Sequence, residues 1–247
     1  MAKLEPVRRR SLADDVYEQL RTKIVRGELE AGSALPAERA LCTMLGVNRG
    51  ALREALKRLE QARLVSIHHG GGTRVEDFRQ SGGLDLLAKL IIGADGTVDT
   101  HVARSVVEMR SALGPDIARL AALRATPATQ KRLLEVVDRI DETEDLRELQ
   151  RLSMEFWDLL VEGSNNVAYR FAFNTLHATY REVAQVMTQV LAGELTDRAG
   201  FRAVAEAVQT RDTAESEARA RELLRKGAKG ILELITLIEN MNEGGQS

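Results

Sequence analysis

Apolar residues at Leu12, Val16, Leu20 and Ile24 recur four apart and predict a helix from about Ser11 to Arg26 with one buried stripe. Ser11 can cap it, Asp14 at the third position completes a capping box, and Gly27 can end it. "EAGSALPAER" reads as a turn, with Pro36 suited to the first turn of the next helix. That helix is short and ends near Leu45, because Gly46 breaks the run. Asn48 then fits the N-cap of "RGALREALKRLEQA". There Leu52, Ala55, Leu56 and Leu59 face inward, while Arg49 and Arg53, four apart, share the other face. "LVSIH" alternates weakly, and "TRV" can pair back onto it across "HGGG".

Beyond this head the period becomes helical throughout. "EDFRQSGGLDLLAKLIIGADG" is a link in which Gly82 and Gly83 break the chain and Leu84 begins a short apolar helix. Helices are predicted at about 99–124, 127–141, 145–162, 165–192, 197–209 and 212–238. Thr126 before Pro127 marks one start, and Asp212 or Thr213 caps another. Residues 231–238, "ILELITLI", are apolar on more than one side, which fits burial or a subunit contact. The fold class is mainly α: an N-terminal winged helix-turn-helix and a C-terminal all-helical bundle. The divisions are 1–77 for the winged head, 78–97 for the linker and short helix, and 98–247 for a helical domain suited to effector binding and dimerisation.

Composition narrows the function. Of 247 residues 44% are apolar, enough for a core, and the formal net charge is −2. The charge is uneven: residues 1–76 hold 14 Lys or Arg against 10 Asp or Glu, leaving the remainder acidic. A basic head on an acidic body fits a small contact surface. One cysteine, Cys42, excludes an internal disulfide. No apolar run reaches the roughly 20 residues of a membrane span, and the start lacks a secretory signal, so a cytoplasmic protein without membrane contact is expected.

The head's order gives its chemistry. A recognition helix enters the major groove with its first turns leading. Arg49 and Arg53 would reach guanine edges or phosphates there, and Arg39 on the preceding helix another phosphate or base edge. The helix start at Asn48 and Gly50 offers backbone N–H groups to a phosphate. Gly70, Gly71 and Gly72 make a slim wing for a minor groove, with His69 at its shoulder and Arg74 on the return strand. Arginines on one helix face also suit plain solvation; the ordered set of short helix, Gly-Val-Asn turn, arginine helix and glycine wing favours double-stranded DNA.

"LPAERALCTMLGVNRGALREALKRLEQARLV" resembles the winged-helix domain of the GntR family of bacterial regulators, over about residues 10–77. By that resemblance Arg39, Arg49 and Arg53 match operator-contacting arginines, and His69 and Gly70 match the wing-tip pair. The family usually has Thr or Ser early in the recognition helix; Asn48, Gly50 and Ala51 stand here, implying a different operator. "VVEMRSALGPDIARLAA", "MEFWDLLVEGSNN" and "FRAVAEAVQTRDTAESEARARELL" resemble the FCD ligand-binding domain of the FadR subfamily, over about residues 84–238. Many relatives hold a divalent metal there with an Asp, then a His four later, then two more His 22 apart. The matching positions are Ser153, Trp157, Phe201 and Leu223, none a good ligand, so no metal and no cofactor are expected.

Two readings of that domain stay open: a core packed shut that serves only dimerisation, or an apolar effector cavity with a few polar groups. The candidate effector residues are Arg110, Ser153, Trp157, Tyr169, Asn174, His177, Tyr180 and Phe201. Arg110 matches an arginine that lines the family's cavity. The missing ligands and "RQSGGLDLL" resemble the metal-free FadR branch, which implies a homodimer on a palindromic operator, released by long-chain acyl-CoA and controlling fatty-acid metabolism. Another small metabolite, such as an organic acid, is the alternative effector. An enzyme is disfavoured: no glycine-rich phosphate loop follows a strand, Cys42 has no evident base, and Asp141 and Glu144 sit in a charged helix junction.

Overall fold

The computed structural model describes residues 11–25, 27–68, 72–92, 97–182 and 184–244. They divide into two compact units: one takes the chain through Leu86 with Ile92–Thr97, the other Leu87–Ile91 and everything from Val98.

The first unit is built on α1 (Leu12–Val25), α2 (Glu38–Leu45), α3 (Arg49–Gln61), β1 (Val65–His68) and β2 (Gly72–Val75). The capping box at Ser11 forms both ways: the Asp14 amide donates to Ser11 Oγ, and the Ser11 amide donates to Asp14 Oδ2. Val16, Leu20 and Ile24 are buried, but Leu12 is 54% exposed and Ala13 and Tyr17 take its place. Each step of four residues drifts about 40° on a 3.6-residue helix, so a row of three such steps cannot keep one face. Gly27 ends α1 at φ +74°.

Arg58 of α3 reaches Asp14 of α1 at 2.5 Å while its guanidinium lies 4.5 Å from the centroid of the Tyr17 ring. This pair and the inward row Leu52, Ala55, Leu56 and Leu59 lock α3 onto α1. The turn between α2 and α3 is made by Gly46 in the left-handed region, φ +65°. Asn48 caps α3 by accepting from the Ala51 amide at 2.9 Å.

The hairpin is antiparallel, Val65 opposite Val75 and His68 opposite Gly72. The expected turn before α2 instead adds an edge to it. Ala34 bridges Arg74, the Leu35 amide donates to the Thr73 carbonyl at 2.8 Å, and the Val75 amide donates to the Ser33 carbonyl at 2.9 Å. Pro36 therefore leaves an extended segment rather than entering the first turn of α2, whose N-cap is Ala37.

The second unit opens with α5 (Leu87–Leu90), which follows the short α4 (Phe78–Ser81) and a 3₁₀ turn at Leu84–Leu86. It packs on α9 (Val167–Glu182), so part of the expected linker belongs to the helical body. The body's axis is α6 (Thr100–Arg124), flanked by α7 (Pro127–Glu142), α8 (Leu146–Ser164), α12 (Arg198–Gln209) and the long α13 (Thr213–Gly244). Phe156, Leu160, Phe201, Val204 and Leu223 are wholly buried at its centre. Small residues let the helices close: the Ser216 hydroxyl donates to the Ala118 carbonyl at 3.0 Å, and a Cβ on Gly114 would lie 2.2 Å from Leu224 Cδ1. Pro115 sits inside α6 without ending it.

The expected helix 165–192 is described from Val167 and ends at a turn on Leu191, with residue 183 outside the described residues. Val167–Glu182 is followed by α10 (Ala184–Val190) and α11 (Ala192–Leu195). Packing fixes the break: Leu191 and Leu195 enter the core, and Gly230 of α13 admits the Val190 carbonyl, 2.2 Å from where a Cβ would stand. Residues 231–238 answer both sides of their pattern: Ile231, Leu234, Ile235 and Ile238 line an internal cavity, while Leu237 is 55% exposed.

Candidate nucleic-acid interface and ligand cavity

In the first unit, α3 begins on an exposed corner. Asn48, Arg49, Gly50 and Arg53 are all exposed there, as is Arg39 on α2. Asn48 Oδ1 is engaged by the cap, which leaves its amide nitrogen to donate. Gly50 suits this corner, because a Cβ there would come within 3.3 Å of Asn48 Oδ1. Arg53 is 69% exposed yet held at 3.0 Å by Glu38, so a base or phosphate would have to displace that carboxylate. Arg74 donates to the Gly32 carbonyl at 3.0 Å and stiffens the strand edge. His69 and Gly70, the expected wing-tip pair, lie outside the described residues. The corner combines capped backbone N–H groups with guanidinium groups, the donor set that meets phosphates and guanine edges.

In the second unit a cavity of roughly 190 Å³ lies among α6, α8, α9, α11 and α13. Its walls are aliphatic, with Val107, Leu113, Leu224, Ile231 and Ile235 among them. Of the sequence candidates, Arg110, Ser153, Trp157, His177 and Tyr180 line it. Tyr169, Asn174 and Phe201 do not. The Tyr169 hydroxyl donates to Asp116 Oδ2 at 2.7 Å, Asn174 is exposed, and Phe201 stands edge-on to Phe156 in the core, centroids 5.0 Å apart. The four positions matched to the relatives' metal ligands part company too: Ser153 and Trp157 line the cavity, while Phe201 and Leu223 are packed in the core. Among the described residues no group of three or more His, Cys, Asp or Glu could hold a metal ion.

Sequence reasoning missed Glu194. It projects from α11, is 1% exposed, and ion-pairs with Arg110. Burial pushes its carboxyl above the usual carboxylate range, and Arg110 opposes that rise. Nothing in "LAGELTD" signals a buried acid; its place between Leu191 and Leu195 on the inward side is the one trace. At the same lining, the Tyr180 hydroxyl accepts from Gln150 Nε2 at 2.5 Å, and Thr188 donates to Gln150 Oε1 at 2.6 Å. Burial raises the Tyr180 phenol above its ordinary value. The cavity is thus an apolar chamber with one polar end, the usual form of a small-molecule site.

Both units of the chain resemble known proteins. Residues 12–75 match the family described as bacterial regulatory proteins, gntR family, and residues 105–226 match the FCD domain. The chain is 35% identical over 232 residues to the HTH-type transcriptional regulator Mce2R of Mycobacterium tuberculosis (strain CDC 1551 / Oshkosh), covering 94% of this chain and 96% of that one. It is 28% identical over 180 residues to a fatty acid metabolism regulator protein of Erwinia tasmaniensis, covering 72% and 74%. The solved structure of Lar, which controls the expression of the Listeria monocytogenes agr system, matches with a TM-score of 0.55 at 17% identity, over 92% of this chain and all of that one. That likeness is one of fold.

Proposed function

The chain belongs to the GntR family of bacterial regulatory proteins and carries an FCD domain, and from that premise we propose that it is a dimeric operator-binding regulator released by a ligand with an acyl chain. The family consists of transcriptional regulators, not enzymes. Its members bind DNA operators and small-molecule effectors, commonly as dimers. Among the described residues no helix is long and apolar enough to cross a membrane.

On this reading two copies of α3 address a palindromic operator, since one recognition helix spans only a few base pairs. Arg39, Arg49 and Arg53 supply the contacts, with the wing around His69, Gly70 and Arg74 beside them. The cavity in the FCD domain receives the effector, and fatty-acid metabolism is the process controlled.

The observation that carries the reading is the cavity's lining: aliphatic walls around one polar end. Acyl chains gain roughly 0.8 kcal/mol per CH₂ buried. At about 190 Å³ the chamber is smaller than the roughly 300–1,000 Å³ of a drug-sized pocket, so it suits the acyl part of an acyl-CoA with the nucleotide outside. Resemblance to a fatty acid metabolism regulator supports the same class. Release requires the ligand to favour the subunit geometry that misplaces the recognition helices.

The test titrates short- and long-chain acyl-CoA, free CoA and unrelated organic acids against the protein on its own operator. Release that strengthens with chain length, below any micelle-forming concentration, is the expected result. Release by a small organic acid with none by acyl-CoA would sink the acyl assignment and leave the regulator standing.

A further inference from the structure

Among the described residues, three buried side-chain atoms of lining residues have no hydrogen-bond partner: Arg110 Nη1, Trp157 Nε1 and Glu194 Oε2. All three residues belong to the lining. Unpaired buried donors and acceptors are costly, so a ligand whose polar group reaches them gains the hydrogen bonds they lack. Two of the atoms donate and one accepts.

Charge then narrows the ligand. Arg110 is the lining's guanidinium, and Glu194 already opposes it. An incoming carboxylate would find its natural partner taken and would face a fixed carboxylate across apolar walls. The polar end would then carry net negative charge out of reach of water, an arrangement proteins pay for heavily. A neutral head adds no charge and can satisfy both kinds of orphaned atom.

We propose that the cavity takes a net-neutral amphiphile, an apolar chain ending in a group that both accepts and donates hydrogen bonds, such as an alcohol or an amide, and that Glu194 is the residue that turns free carboxylates away. This rests on reading the cavity as the effector site. It also separates two sources of the same chain: a thioester with its neighbouring amide is neutral at this point, whereas the free fatty acid is not.

Trp157 is the chain's single tryptophan, so its fluorescence reports occupancy without a label. Decan-1-ol and decanoate are titrated into the full-length protein at about pH 8, where the acid is ionised. The alcohol should bind about tenfold tighter or more. Glu194→Gln keeps the shape and frees Arg110; decanoate should gain about tenfold or more and close the gap. Equal or tighter binding of decanoate by the unaltered protein overturns the neutral-ligand proposal while leaving the cavity as a ligand site. A folded Glu194→Gln protein with no gain for decanoate removes Glu194 from the role. Should that variant not fold, the comparison on the unaltered chain decides alone. Silence of Trp157 toward both probes, with operator binding unmoved, overturns the cavity reading itself.

Discussion

Gly227 of α13 stands directly against Glu194 of α11: a Cβ on Gly227 would lie 2.0 Å from Glu194 Oε2 and 2.9 Å from Leu191 Cδ2. The long C-terminal helix can close over the buried acid only because this position lacks a side chain. One residue without chemistry thus shapes the polar end of the cavity.

Gly227→Ala inverts the usual helix rule. Alanine at an unconstrained helix position gains about 1 kcal/mol over glycine. Here the added methyl overpacks a wholly buried contact, so a loss of about 1–3 kcal/mol is expected. Thermal unfolding followed by circular dichroism checks it, and a raised Tm would contradict the close approach.

Arg110→Ala leaves Glu194 buried without its cation, and a cost of about 3–5 kcal/mol is expected. Replacing both partners with apolar residues of similar size, Arg110→Met with Glu194→Leu, should recover most of that stability. Denaturant titration of both proteins measures it. Equal losses in the two would mean that the charge itself was not the source.

Asn48 and Arg49 are neighbours with different work. Asn48→Ala removes the cap of α3 and should cost about 0.5–2 kcal/mol of stability in the head. Arg49→Ala should leave stability nearly unchanged and cost about 1–3 kcal/mol of discrimination between the operator and a scrambled duplex at fixed salt. Equal loss on both duplexes would place Arg49 on a phosphate instead of a base.

Asp14 gives the head an acid limit. Its hydrogen bond from Arg58, helped by Ser11, holds the carboxyl at about 2, below an ordinary value of 3.8. A depressed carboxyl contributes stability that is present above the ordinary value and is lost as pH falls from 3.8 toward 2. Hydrogen exchange of the α1 amides should therefore accelerate across that window, and Asp14→Asn should remove this part of the pH dependence.

Much of the head was legible because its signals are local. A Ser–Asp capping box, Gly46 before Asn48 and the inward row from Leu52 to Leu59 each act within a few residues, so the sequence alone places α1, α2 and α3 and sets Arg49 and Arg53 on an outer face. The third strand edge at Ala34 was not legible, because its partner is Arg74, forty residues on, and "GSAL" has no alternation of its own. In the body, helical periodicity located α6, α7, α8, α12 and the start of α13 within two residues, while α13 runs on to Gly244, past the expected end at 238. Periodicity placed the end of 165–192 near Leu191 but not the reason for it, since there Gly230 of another helix receives the Val190 carbonyl.

The cavity separates the two kinds of information most clearly. The sequence determined that Arg110, Trp157, His177 and Tyr180 were available polar or aromatic groups on amphipathic helices, and that a metal-ligand pattern was absent at Ser153, Trp157, Phe201 and Leu223. Tertiary structure decided which of them face the chamber, turned Phe201 into core and Tyr169 toward Asp116, and supplied Glu194 as the partner of Arg110. The physical reason is that periodicity reports which face of a helix is apolar, whereas the burial of a charge depends on a counter-charge brought in from 84 residues away.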